Sequence, residues 1–172
     1  MTEEAAAARL ERYREAWRAM PEVADLASSL PDARQIEQVW EFSDYVAQTC
    51  LRSPRLLADL SAGGLLDRAY RGGEMAGALA TMLEDVQDEA ALESGLRRFR
   101  QREMLRIIWR DLLGAAALEE TLEDLSELAD VCIRQALALL YEWATARAGV
   151  PRDSSGAPQQ LIVLGMGKLG AR

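Results

Sequence analysis

Residues 89–113 read EAALESGLRRFRQREMLRIIWRDLL. Leu92, Leu96, Phe99, Glu103 and Ile107 recur at helical spacing, flanked by Met104, Ile108 and Leu112. Such a stripe predicts a long amphipathic helix with one face toward a core. Gly114 supplies its stop. Glu103 is the anomaly, a carboxylate on the apolar stripe between Phe99 and Ile107. Burial there requires a partner, and an Arg from another helix is the expected one. Arg102, Arg106 and Arg110 recur every fourth residue, with Arg97, Arg98 and Arg100 nearby. They read either as a basic stripe for an acidic partner or as a solvated face paired within the chain. The second is favoured, with Glu103 or Asp111 as partners.

The same reading extends outward on both sides. A helix is expected over 3–19, ending before Pro21, and a second from after Pro31 to about Leu51. In the second, Ile36, Val39, Trp40, Ser43, Val46 and Ala47 keep one face. Ser53-Pro54 offers an N-cap followed by Pro at the first helical position, and that third helix ends at Gly63-Gly64. A helix from Glu74 to Val86 follows the Gly72-Gly73 pair. The last helix opens near Thr121, which forms a loose capping box with Asp124. It carries Leu122, Leu125, Leu128, Cys132, Ala136, Leu139 and Trp143 on one face and stops at Gly149 and Pro151. Trp17, Trp40, Trp109 and Trp143 all fall at core-compatible positions.

Beyond the helices the pattern changes. Residues 151–160, PRDSSGAPQQ, have the composition of a linker. Residues 161–172, LIVLGMGKLGAR, begin as a buried strand and run into Gly165, Gly167 and Gly170. The expected organisation is a helical domain over 1–150, a linker over 151–160, and the start of an incomplete core over 161–172. A P-loop is excluded, because Leu169 follows Gly167-Lys168 where a hydroxyl is needed and position 162 is Ile. The G-x-G-x-x-G spacing matches a Rossmann fingerprint, but neither the helix nor the later acidic residue of that motif is present. Plain turn glycines after a strand remain open at this level.

Composition narrows the chemistry. With 28% charged and 49% hydrophobic residues, the chain reads as globular, and its net charge of −8 argues against a nucleic-acid partner. There is no His, which removes His-based acid–base catalysis, Ser-His and Cys-His pairs and most zinc sites. Cys50 and Cys132 lack ligand spacing and read as reduced thiols. No signal peptide or membrane-length apolar run is seen, so a cytoplasmic location is the default. Lys168 is the sole lysine among nineteen arginines, and it stands inside the glycine loop. That placement suits a compact ammonium on a flexible stem.

The stretch LIVLGMGKLGAR resembles the start of the first catalytic core of the bacterial glutamine-synthetase adenylyltransferase/adenylyl-removing enzymes. That family reads GMGKLGG-[RG]-E-L-N-x-x-S-D-I-D-L at this point. FRQREMLRIIWRDLLG (99–114) and LSELADVCIRQAL (125–137) are similar to its helical segments, as is WEFSDYVAQTCLRSPRLLADL (40–60). The resemblance covers about residues 36–172 and departs at Ala171, usually Gly. It implies an all-α helical bundle followed by the first β-strand and glycine turn of a polymerase-β-like nucleotidyltransferase α/β core. On that implication Gly165, Gly167, Lys168 and Gly170 bind nucleotide or phosphate. The D-x-D carboxylates that hold Mg2+ would lie beyond Arg172, so this chain holds no metal ligand or catalytic carboxylate and would be inactive alone. The GMGKLG form, as opposed to G-x-G-K-L-G-G-W, implies the adenylyl-removing half. That half uses phosphate to release AMP from a glutamine synthetase tyrosine as ADP, while the other half consumes ATP. The implied partners are glutamine synthetase and a PII-type signal protein, with glutamine as effector. A non-catalytic helical interaction module and a truncated Rossmann domain are the alternatives.

Overall fold

The computed structural model describes residues 3–165. Its regular elements are helices: α1 (Glu3–Arg18), α2 (Pro21–Asp25), α3 (Ala33–Phe42), α4 (Asp44–Arg52), α5 (Pro54–Ala62), α6 (Glu74–Met82), α7 (Glu89–Leu112) and α8 (Leu118–Ala148), with a short 3-10 turn over Ala27–Ser29. Pro and Gly set most boundaries. Pro54 opens α5, and Gly114 and Gly149 follow α7 and α8 with φ of 65° and 81°. That left-handed backbone carries little penalty without a Cβ, and it closes a helix by turning the chain away.

Three local expectations are corrected. The helix predicted over 31–51 is broken at Ser43, which ends α3 and caps α4: its N–H donates to Val39 O at 2.9 Å, and its Oγ accepts from Val46 N at 3.3 Å. A cap of this kind contributes about 0.5–2 kcal/mol, enough for a local side chain to override a continuous apolar face. Ser53 stands at the N-terminus of α5 without a capping side-chain bond. The Thr121–Asp124 capping box does not form, because α8 already starts at Leu118. Thr121 Oγ1 donates instead to Ala117 O and to Asp111 Oδ1.

The chain divides into two units. The first comprises residues up to Tyr70 together with Arg100–Asp124. Its core is built by α3, α4, α5 and the second half of α7, through Val39, Trp40, Val46, Leu57, Leu105 and Trp109. Trp17 and Tyr13 of α1 close over Trp40, ring edges to faces, at centroid distances of 5.4 and 6.2 Å. Each such contact adds about 0.5–1.5 kcal/mol beyond the area buried. Cys50 lies within this core as a free thiol, pushed up to about 12 by burial.

The second unit comprises Arg71–Phe99 and the chain from Leu125 onward. Its buried apolar side chains include Met75, Leu79, Leu83, Leu92, Leu128 and Val131. Gly95 packs closely on Leu83, whose side-chain end would have to shift to admit a Cβ there. On α8 the predicted apolar face is partly wrong: Leu122 and Leu125 are exposed, whereas Asp124 is buried.

Residues 161–165 form no strand. Leu161, Ile162, Val163 and Leu164 are exposed, and the sole β-pairing among the described residues is an isolated bridge between Arg152 and Pro158. A strand exists through its ladder partners, and none lies among the described residues to take up these backbone groups. The glycine turn at 167–168 lies outside the described residues. Among the described residues no helix is long and apolar enough to cross a membrane.

Candidate functional site

Two assemblies of polar groups stand out, one in each unit. In the second unit, the stretch leading to the glycines is tied into a closed turn. Asp153 is its hub. Its Oδ1 accepts from Ser155 N at 2.8 Å, Ser155 Oγ at 2.6 Å and Ala157 N at 3.0 Å, and its Oδ2 accepts from Gln159 Nε2 at 3.2 Å. These donors, the Ser155 hydroxyl foremost, hold the Asp153 carboxyl below its ordinary value. The backbone repeats the closure: Asp153 N donates to Ala157 O at 3.0 Å and Gln159 N to Pro151 O at 2.8 Å. Gly156 makes the corner at φ 85°, and Arg152 Nη1 donates to its carbonyl at 2.7 Å. Tyr141 of α8 then donates to Gln159 O at 3.0 Å. A cleft of about 390 Å³ lies beside this junction, lined by Arg134, Leu137, Ala138, Tyr141, Gln160 and Leu161.

Of the residues predicted to bind phosphate, Gly165 is described, exposed and free of regular structure. Gly167, Lys168 and Gly170 lie outside the described residues. Among the described residues there is no group of three or more carboxylate, thiol or imidazole side chains that could hold a metal ion.

In the first unit, Glu103 and Arg106 are fully buried on α7. Tyr70 Oη donates to Glu103 Oε1 at 3.0 Å, and Arg102 pairs with the same oxygen. Arg106 Nη1 meets Asp124 Oδ2 of α8 at 2.6 Å, and its guanidinium lies 3.6 Å over the Tyr70 ring. Arg110 closes the group, donating to Glu120 Oε1 at 2.7 Å, Leu66 O at 3.1 Å and Ala115 O at 3.0 Å. Burial raises the Glu103 carboxyl above its ordinary value despite the nearby Arg102 and Arg106 charges. Burial likewise pushes the Tyr70 hydroxyl up to about 12. Each buried charge thus has an opposite charge beside it, but the match is partial: Glu103 Oε2 and Arg106 Nε and Nη2 are buried with no hydrogen-bond partner among the described residues.

This corrects the sequence reading in two respects. Glu103 is partnered by its own neighbour Arg102 and by Tyr70, not by an Arg from another helix. Arg106 and Arg110 are not a solvated face; they are buried and reach Asp124 and Glu120. Their four-residue spacing did signal a shared face, but Tyr70 carried no sequence signal at all. The Asp153 hub was also missed, although D-x-S-G is a recognisable Asx-turn composition.

The model of the glutamate-ammonia ligase adenylyltransferase family matches residues 33–172. Curated relatives match as well. The bifunctional glutamine synthetase adenylyltransferase/adenylyl-removing enzyme of Nitrosococcus oceani is 50% identical over 135 residues, covering 78% of this chain and 14% of the relative. The enzyme of the same name from Pseudomonas putida is 43% identical over 152 residues, covering 88% of this chain and 16% of the relative. That from Pseudomonas syringae pv. tomato is 42% identical over 168 residues, covering 93% and 17%. The chain therefore spans a small part of the length of the curated relatives it matches. The match takes in both the Arg106 cluster and the glycine loop, and the chain belongs to the glutamate-ammonia ligase adenylyltransferase family.

Proposed function

We propose that this chain is part of the adenylyl-removing half of a bifunctional nucleotidyltransferase that regulates glutamine synthetase. In that half, inorganic phosphate attacks the adenylyl-tyrosine of glutamine synthetase and releases ADP. The observation that carries the reading is the stretch LIVLGMGKLG inside the family match, in its GMGKLG form. Residues 1–150 serve as the helical domain, 151–160 as the connection, and 161–172 as the first strand and turn of the nucleotidyltransferase core. Leu161–Leu164, exposed here, gain their ladder partners from the remaining strands of that core.

Within this reading each loop residue has a physical task. Gly165, Gly167 and Gly170 let the backbone approach phosphate oxygens, and its N–H groups satisfy them. Lys168 adds a point charge against the polyphosphate, which a planar Arg would deliver in a different geometry. Magnesium belongs to a D-x-D pair, which the 172 residues do not contain. ATP and ADP are the nucleotides, with a PII-type protein and glutamine as regulators of the whole enzyme.

The test uses the full-length enzyme with adenylylated glutamine synthetase, phosphate and magnesium. ADP should form in step with loss of AMP from the tyrosine. Lys168→Ala should lower that rate about 10²-fold, the scale of losing one preorganised electrostatic contact. Lys168→Arg should not restore it. Adenylyl loss without ADP would reject phosphorolysis.

A further inference from the structure

We infer that Asp153 is a positioning residue whose closed turn, anchored to α8 through Tyr141, fixes where the Leu161–Gly165 segment departs from the helical domain. The inference rests on the reading of Gly165–Gly170 as the nucleotide loop. It begins from a contrast between composition and geometry. PRDSSGAPQQ has the makeup of a flexible connection, and an untied Gly/Ser-type chain of this length between Pro151 and Gln159 would spread its ends by about 16 Å. The observed ends meet in one hydrogen bond, Gln159 N to Pro151 O at 2.8 Å.

Asp153 accounts for that closure, since one carboxylate takes four donors spread from Ser155 to Gln159. Tyr141 then ties the closed turn to α8 at the Gln159 carbonyl. From Gln159 to Gly165 an extended chain covers about 20 Å. Over such a lever, freedom at the turn becomes displacement at Gly165. Reactive geometry tolerates little of it, and a misplacement of about 1 Å can cost on the order of 10²-fold in rate. The turn therefore acts on kcat through placement, and it touches no substrate.

The experiment compares wild type, Asp153→Ala, Asp153→Asn and Tyr141→Phe in the full-length enzyme, reading ADP formation and backbone amide exchange together. Asp153→Ala should lower kcat about tenfold or more, with KM for adenylylated glutamine synthetase unchanged. Amide exchange at Ser155 and Ala157 should quicken while that of residues 125–148 stays as in wild type. Asp153→Asn keeps an Oδ1 acceptor and should recover much of the rate, and Tyr141→Phe should show a smaller loss than Asp153→Ala. Normal kcat in Asp153→Ala, with an active wild type, would overturn the inference and leave the functional reading standing. An inactive wild type would overturn the functional reading instead. Exchange then decides the turn's role, and unchanged exchange in Asp153→Ala would overturn it.

Discussion

Two regions of this chain invert the usual rule of burial, in opposite directions. On α7, Glu103 and Arg106 are charged and have no exposure. At the other extreme, Ile162 and Leu164 are apolar and 78% and 81% exposed. Each inversion needs a reason, because both an unmatched buried charge and a bare apolar stretch are costly. For α7 the reason lies inside the chain: Tyr70, Arg102 and Asp124 surround the charges. For residues 161–164, no covering surface lies among the described residues. The contrast separates charges that find counter-charges within the chain from an apolar segment left exposed.

The largest expected effect breaks the first half of that contrast. Arg106→Ala strips Asp124 of its guanidinium and Tyr70 of the cation over its ring. It should destabilise the chain by about 3–5 kcal/mol, read from denaturant unfolding. A loss below about 1 kcal/mol would place the pair with ordinary surface ion pairs.

A smaller effect concerns Glu103. Its folded-state carboxyl lies above the ordinary 4.5 because burial disfavours the charge. The folded chain then holds this proton more tightly than the unfolded chain. Its contribution is complete below pH 4.5 and is lost as pH rises through the raised value. Glu103→Gln should flatten that part of the stability–pH curve, measured by thermal melting across the acid range. An unaltered curve would show that other groups set it.

The smallest effect tests the second half. Ile162→Ser with Leu164→Ser should leave the melting curve of this chain within about 0.5 kcal/mol, as for exposed positions generally. The same pair in the full-length enzyme should impair adenylyl removal. A clear stability loss in this chain alone would mean that the segment packs on the helices.

How much of this was legible in the sequence follows from the range of the interactions. Helix runs and their Pro and Gly limits are local, and the bounds of α1, α5 and α7 emerged close to their expected positions. Ser43 was hidden because it sits on a continuous apolar face, where periodicity outweighs a cap until the Oγ–Val46 bond is seen. Leu122 and Leu125 were misjudged because a long helix need not bury one stripe throughout its length. Glu103 announced itself by position, but its partners depend on where the chain brings Tyr70, a relation across 33 residues. The glycine loop was legible as a motif, and all of it but Gly165 lies outside the described residues.

The central claim is that the chain serves phosphorolytic adenylyl removal. The most direct measurement supplies the full-length enzyme with glutamine synthetase carrying a labelled adenylyl group, together with phosphate and magnesium. The account predicts label appearing in ADP, with the rate falling sharply in Lys168→Ala. Label retained on glutamine synthetase, or released as AMP, would contradict it.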